Sequence, residues 1–307
     1  MSSAGKWILG IAVATAGVGF IVLAFSVFML ATAVTASSVD TYDETTGGSS
    51  SGRVALIEVT DVLVDSEDVI RQLRKYRDRS SVKAIVLRLE SPGGGVVPSH
   101  EIYEEVRRTR KLGTPVVASM GSVAASGAYY IACGASRVVA NPGTITGSIG
   151  VISEFTNFRE LLDKIGVQNT TIKSGEFKDL GNPSRPMREH ERAFLQKTID
   201  NVYDQFVDVV VRGRGLSEDS VRSLADGRIY TGEQAYDSGL IDTLGTLLTA
   251  VTIAGNLGKI QGEPRIVRER ESEKLFDLLM GTETRKTIEQ MGTRMHNRTP
   301  LEYRFNY

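Results

Sequence analysis

Ser126 lies in a run of small residues, Met120-Gly-Ser-Val-Ala-Ala-Ser126-Gly-Ala-Tyr-Tyr130. Ala124, Ala125, Gly127 and Ala128 leave room for a substrate backbone to approach its hydroxyl. A glycine directly after the serine also leaves a backbone N–H free to face a developing oxyanion. A second cluster, Glu90-Ser-Pro-Gly-Gly-Gly95, reads as a turn after the apolar run Ala84–Leu87, and its Gly93 or Gly94 can offer another donor. A serine hydroxyl is a weak nucleophile and needs a base. Downstream, Lys173-Ser-Gly-Glu-Phe-Lys178-Asp carries two lysines, and Lys178 with Ser126 suggests a serine hydrolase that uses lysine as its base. Lysine can act so once it is neutral, a form that burial favours. Histidine is the usual base, and the chain has three. His296 lies in the charged tail, His190 opens a charge-rich helix and faces water, and His100, just after the glycine cluster, is the histidine rival. Ser122 is a second hydroxyl in the run, but the glycine that follows Ser126 favours Ser126.

These segments, in this order and spacing, resemble the short-form signal peptide peptidase A family of membrane-anchored Ser/Lys peptidases. The matching stretches are Ser91–Gly95, Met120–Tyr130, Thr146-Gly-Ser-Ile-Gly150, Lys173–Asp179 and Asp226–Ala235, within residues 53–260. The resemblance implies an α/β, Clp-protease-like (crotonase-type) fold with mostly parallel sheets and flanking helices. It makes Ser126 the nucleophile, Lys178 rather than Lys173 the base, and Ser148 the residue that orients the lysine. Gly127, with Gly93 or Gly94, forms the oxyanion hole. Ala128 departs from the family, which commonly has a second glycine there; it adds one methyl and leaves Gly127 in place. Val151 stands where Clp-type relatives carry a base histidine, so a histidine triad of that kind is absent. The resemblance further implies peptide substrates (signal-peptide remnants and other hydrophobic peptides), no metal or other cofactor, and a closed homo-oligomer of eight chains. Two other classes compete: a crotonase-type acyl-CoA enzyme, whose fold builds a similar two-amide hole, and a catalytically silent membrane scaffold.

The elements that must hold these residues alternate. Val54–Val59, Lys83–Leu89, Pro115–Ala118 and Ser136–Ala140 read as strands. Asp65–Arg77, Pro98–Lys111 and the stretch after Ser126 read as helices, and this alternation implies a parallel sheet with crossover connections. Phe158–Ile165 looks helical and Gln168–Ile172 extended, delivering Lys173 and Lys178. Arg188–Arg212 is a long amphipathic helix with Leu195, Ile199, Val202, Phe206, Val209 and Val210 at spacings of three and four. Ser217 caps a short helix, and Gly239 stops one that starts near Thr231.

Lys+Arg 36 against Asp+Glu 37 gives a net charge of -1, without the basic excess of a nucleic-acid partner. The single cysteine, Cys133, excludes an intrachain disulfide framework and reads as a small buried side chain. Trp7–Val34 carries no charge and is long enough to cross a bilayer. Lys6 precedes it and Asp40, Asp43 and Glu44 follow, so a single pass with the N-terminus cytoplasmic and the catalytic domain outside is expected. The expected organisation is an anchor at 1–34, a polar tether at 35–52, a peptidase domain at 53–260 and a charged extension at 261–307.

Overall fold

The runs at Val54–Ile57, Ala84–Leu87 and Val116–Ala118 are apolar at consecutive positions, the pattern of strands buried on both faces. The structure, a computed structural model, describes residues 41–48, 52–271 and 302–304. Along the chain come β1 (Thr41–Thr46), β2 (Arg53–Thr60), α1 (Glu67–Arg77), β3 (Val82–Ser91), β4 (Gly93–Gly95), α2 (Val96–Lys111), β5 (Val116–Ala125) and α3 (Gly127–Ala132). Then follow β6 (Arg137–Ala140), β7 (Ile145–Gly147), α4 (Arg159–Lys164), a 3-10 turn (Glu176–Asp179), α5 (Glu189–Arg214) and α6 (Glu218–Leu224). The last elements are β8 (Ile229–Thr231), α7 (Gly232–Asp237), β9 (Thr243–Leu244), α8 (Leu247–Leu257), β10 (Arg265–Glu271) and β11 (Glu302–Arg304). The chain divides into two compact units. One comprises 43–269 and 280–307 and holds the features below; of the other, 1–42 and 270–279, the described residues are strand ends at 41–42 and 270–271.

The main sheet has the order β1-β10-β2-β3-β5-β6-β9, with β7 joining β5 to β8. Its β10–β2, β2–β3, β3–β5, β5–β6, β5–β7 and β6–β9 pairs are parallel, and β7–β8 is antiparallel. Alternate residues of the central strands enter two cores. Ile57, Ile85, Leu87, Leu89 and Met120 pack with Leu73 and Tyr76 of α1, Ile102 and Val106 of α2, Tyr130 of α3 and Phe206 of α5. Val54, Leu56, Ala84, Val86 and Val117 pack with Ala250, Val251 and Ala254 of α8. Each fully buried Leu, Ile or Val is worth about 1.5–3 kcal/mol over its exposed state. That core fixes the strand ends from which the candidate catalytic segments leave.

The structure departs from the sequence reading in places. The glycine cluster forms a strand, β4, rather than a turn. Gln168–Ile172 joins no strand, and Ile172 is 96% exposed. The polar stretch before residue 53 contains β1, held by charge rather than apolar burial. Asp43 pairs with Lys75 at 2.8 Å and with Arg79, and Glu44 pairs with Arg268 at 3.0 Å. Among the described residues no helix is long and apolar enough to cross a membrane, and Trp7–Val34 lies outside them.

Candidate active site

The site begins at a bulge. Leu89 of β3 aligns with Met120 of β5, but Ser91 aligns with Ala124, so three residues of β5 oppose the single Glu90. The Glu90 carboxylate accepts the N–H groups of Ser122 at 2.9 Å and Val123 at 3.1 Å, satisfying donors that the ladder has lost. A Cβ at Gly121 would meet that carboxylate and push it off the Ser122 and Val123 N–H groups. Thr144 and Thr146, both buried, donate their hydroxyls to the Gly121 and Ala124 carbonyls, each at 2.7 Å. The end of β5 is thus fastened on both sides before the chain reaches Ser126.

Ser126 turns the chain from β5 into α3 with φ 53 and ψ -113. That backbone is costly for any residue with a Cβ, and such strain concentrates at functional sites. Its N–H donates to the Gly147 carbonyl at 2.7 Å, which sets Ser148, also at positive φ, beside it. Both serines are nearly buried, at 1% and 8% exposure. Gly127 opens α3, so its N–H has no carbonyl four residues back within the helix.

Facing α3 runs β4. Here hydrogen-bond accounting separates two glycines that the sequence left equivalent. The Gly93 N–H donates to Ser91 Oγ at 3.1 Å, and its carbonyl accepts from Leu63 N–H at 2.9 Å. Gly95 N–H donates to the Leu63 carbonyl at 2.7 Å. Successive peptide groups of a strand point to opposite edges. Gly94 therefore presents its N–H and carbonyl to the other edge. A Cβ on Gly94 would fall onto the Leu63 backbone, the close approach that requires glycine there. That other edge holds β11, antiparallel, with Tyr303 opposite Gly94.

Lys178 is on the chain's surface. It lies in the 3-10 turn Glu176–Asp179, where no residue is buried, and its own side chain is exposed. Among the described residues it hydrogen-bonds neither Ser126 nor Ser148. The structure thus brings together Ser126, Gly127 and Ser148, with Gly94 on the strand beside α3, and shows no hydrogen bond from Lys178 to this group among the described residues. Lys173 is differently engaged: its Nζ donates to the Glu176 carbonyl at 2.7 Å and pairs with Asp179. Arg185 and Lys173 together hold the Asp179 carboxyl well below the usual carboxylate range. Arg185 likewise brings Glu191 down to about 2.

The other named residues take structural roles. His100 Nδ1 meets the Tyr130 hydroxyl at 2.8 Å. Cys133 is buried, and burial pushes its thiol up to about 12. Sequence reading missed Leu63, Glu90, Arg185 and residues 302–304. Glu90 alone carried a signal, a carboxylate abutting the glycine motif at a strand end.

Comparison with known proteins bears on this arrangement. A family model, Peptidase family S49, matches residues 108–261, half of the chain, and one for Clp protease matches residues 52–144. A protein of Enterococcus faecium provisionally named signal peptide peptidase SppA is 37% identical over 211 residues, 64% of this chain and 61% of that protein. Protease 4 of Haemophilus influenzae is 37% identical over 216 residues, 67% of this chain and 35% of that protein. Serine protease SPPA, chloroplastic, of Arabidopsis thaliana is 34% identical over 239 residues, 76% of this chain and 35% of that protein. The chain therefore spans less than two thirds of the length of these relatives. The S49 match contains Ser126, Ser148 and Lys178, and the chain belongs to peptidase family S49, of the signal peptide peptidase A type.

Proposed function

We propose that this protein is a membrane-anchored serine endopeptidase that degrades cleaved signal peptides and other hydrophobic peptides with a Ser126/Lys178 dyad. The observation that carries the reading is the strained backbone of Ser126 at the mouth of α3, beside the edge of Gly94 that pairs with β11. An extended peptide takes the place of β11 on that edge as an antiparallel strand, with its scissile carbonyl over Ser126. Ser126 Oγ attacks the carbonyl carbon while neutral Lys178 takes the hydroxyl proton. The oxyanion is held by Gly127 N–H and by Gly94 N–H, since Gly93 N–H is already used. Lys178 then protonates the leaving amine, and water cleaves the acyl-enzyme. Ser148 orients the lysine.

A single chain leaves Lys178 exposed, so the dyad is completed between copies. The arm from Ile152 to Phe194 supports this. It exposes Phe155, Phe158, Leu161, Ile165, Val167, Ile172, Phe177 and Phe194, a surface a solvated monomer would bury. A closed ring of eight copies would cover it and bring the lysine of one chain to the serine of a neighbour. Trp7–Val34 would anchor the assembly with the peptidase domain outside the cytoplasm.

Ser126→Ala and Lys178→Ala each abolish hydrolysis of a hydrophobic peptide by the detergent-solubilised full chain, with assembly unchanged by light scattering, because nucleophile and base act as a unit. Near-wild-type turnover in Lys178→Ala would exclude the dyad.

A further inference from the structure

The turn that carries Lys178 has one aromatic contact with α5, the Phe177 ring lying 5.0 Å from that of Phe194 and 5.8 Å from that of His190. Glu176, Phe177 and Lys178 are exposed, and no side chain of the turn enters either core. Its densest set of polar contacts comes from one guanidinium. Arg185 Nε donates to Asp179 Oδ2 at 2.8 Å. Its Nη1 donates to the Pro186 carbonyl at 3.0 Å and to Glu191 Oε2 at 2.8 Å. Its Nη2 donates to the Asp179 carbonyl at 3.1 Å and to Glu191 Oε1 at 2.6 Å. Guanidinium has five N–H donors in a fixed planar fork, and all five are taken. Glu191 is fully buried and lies in the first turn of α5, where Oε2 also accepts the Arg188 N–H at 2.9 Å. On the other side of the turn, Lys173 grips Asp179 and the Glu176 carbonyl.

Charge makes the arrangement more than a clamp. Lys173 and Arg185 balance Asp179 and Glu191. Asp179, the carboxylate next in sequence to Lys178, has both oxygens engaged by other cations. Among the described residues no carboxylate pairs with Lys178. Glu176, the other acid of the turn, faces His190 at 3.0 Å.

We propose that Arg185, with Lys173, Asp179 and Glu191, is the positioning device for Lys178: it ties the lysine-bearing turn to the start of α5 and keeps Asp179 from pairing with the lysine. The inference rests on the reading of Lys178 as the base. These four residues touch no substrate and act through where the Lys178 ammonium sits. Misplacing a reacting group by about 1 Å can cost on the order of 10²-fold in rate.

The test uses the full chain in detergent, with two readouts: peptide hydrolysis, and labelling of Ser126 by a fluorophosphonate probe. Arg185→Lys keeps the charge but cannot reach both carboxylates. It lowers kcat by about 10–100-fold with KM within two-fold of wild type. Labelling slows by a similar factor. In a Lys178→Ala background the same substitution changes labelling less than two-fold, because a device that acts through the lysine has nothing left to position. Wild-type kcat in Arg185→Lys, or an equal loss in the Lys178→Ala background, overturns the inference. Should Arg185→Lys fail to assemble, Lys173→Met, which removes one grip on Asp179, is read by the same cycle. Retained hydrolysis in Lys178→Ala would instead overturn the dyad itself, so the two failures are distinguishable.

Discussion

At the scale of residues, chemistry was legible where it depended on local composition and illegible where it depended on accounting. Ser126 stands out because four small residues surround it and a glycine follows. Gly93 and Gly94 are equivalent in sequence; only the Ser91 and Leu63 hydrogen bonds distinguish them. Arg185 was invisible for another reason. An arginine in a polar loop normally solvates its charge, and nothing local says that all five donors are taken. Gly94 makes a definite prediction. Gly94→Ala forces a methyl against the Leu63 backbone and shifts the edge that meets the substrate. We expect kcat/KM to fall by about 10²-fold, as when one oxyanion donor is lost. Gly95, whose N–H faces Leu63, is not an oxyanion donor, so peptide kinetics with Gly95→Ala alongside check the assignment.

Among the elements, the strands with apolar residues at consecutive positions were the easiest to read. β2, β3 and β5 are buried on both faces, so their sequences show the core directly. β4 was not readable, because three glycines say turn. It becomes a strand because Leu63 supplies a partner on one edge and residues 302–304 on the other. Gln168–Ile172 fails in the opposite sense: its composition suits a strand, but no edge is offered to it. β11 has a kinetic consequence. It occupies the edge of Gly94 that an extended substrate would use, so chain and substrate compete. Deleting residues 302–307 should lower KM for a short peptide by about 3–10-fold and leave kcat unchanged, the signature of an enlarged competent fraction. An unchanged KM in steady-state kinetics would mean that peptides bind at another edge.

For the whole molecule, the central sheet forms within one chain, whereas the proposed dyad is one that copies would complete together. The first half of α5 illustrates this. Its stripe, continuous in sequence, divides in space: Phe206, Val209 and Val210 join the core, while Leu195 and Ile199 line a cavity of about 510 Å³ with Phe155, Met187 and Arg185. Helical periodicity shows that a face is apolar but not what covers it. Ile172, 96% exposed, is the cleanest probe. Ile172→Asp costs a monomer little, since the side chain meets water in either form. In an assembly closed by the arm it buries an unpaired charge. We expect light scattering to report smaller particles, circular dichroism to report an intact fold, and hydrolysis to be lost with the assembly. Full-size particles with normal hydrolysis would remove Ile172 from the contact.

The left-handed backbone of Ser126 can also be weighed in degrees. A residue with a Cβ held at φ 53, ψ -113 stores on the order of 1–3 kcal/mol, which glycine would not. Glycine loses about 0.5–1 kcal/mol of that advantage to its freer unfolded chain. The balance still favours glycine. Mid-range values leave about 1.2 kcal/mol, so Ser126→Gly should melt about 2–5 °C above Ser126→Ala, at about 2–4 °C per kcal/mol for a domain of this size. Both variants are inactive, so differential scanning calorimetry reads the strain alone. With Ser126 as the proposed nucleophile, the fold gives up part of its melting temperature to hold that hydroxyl in place.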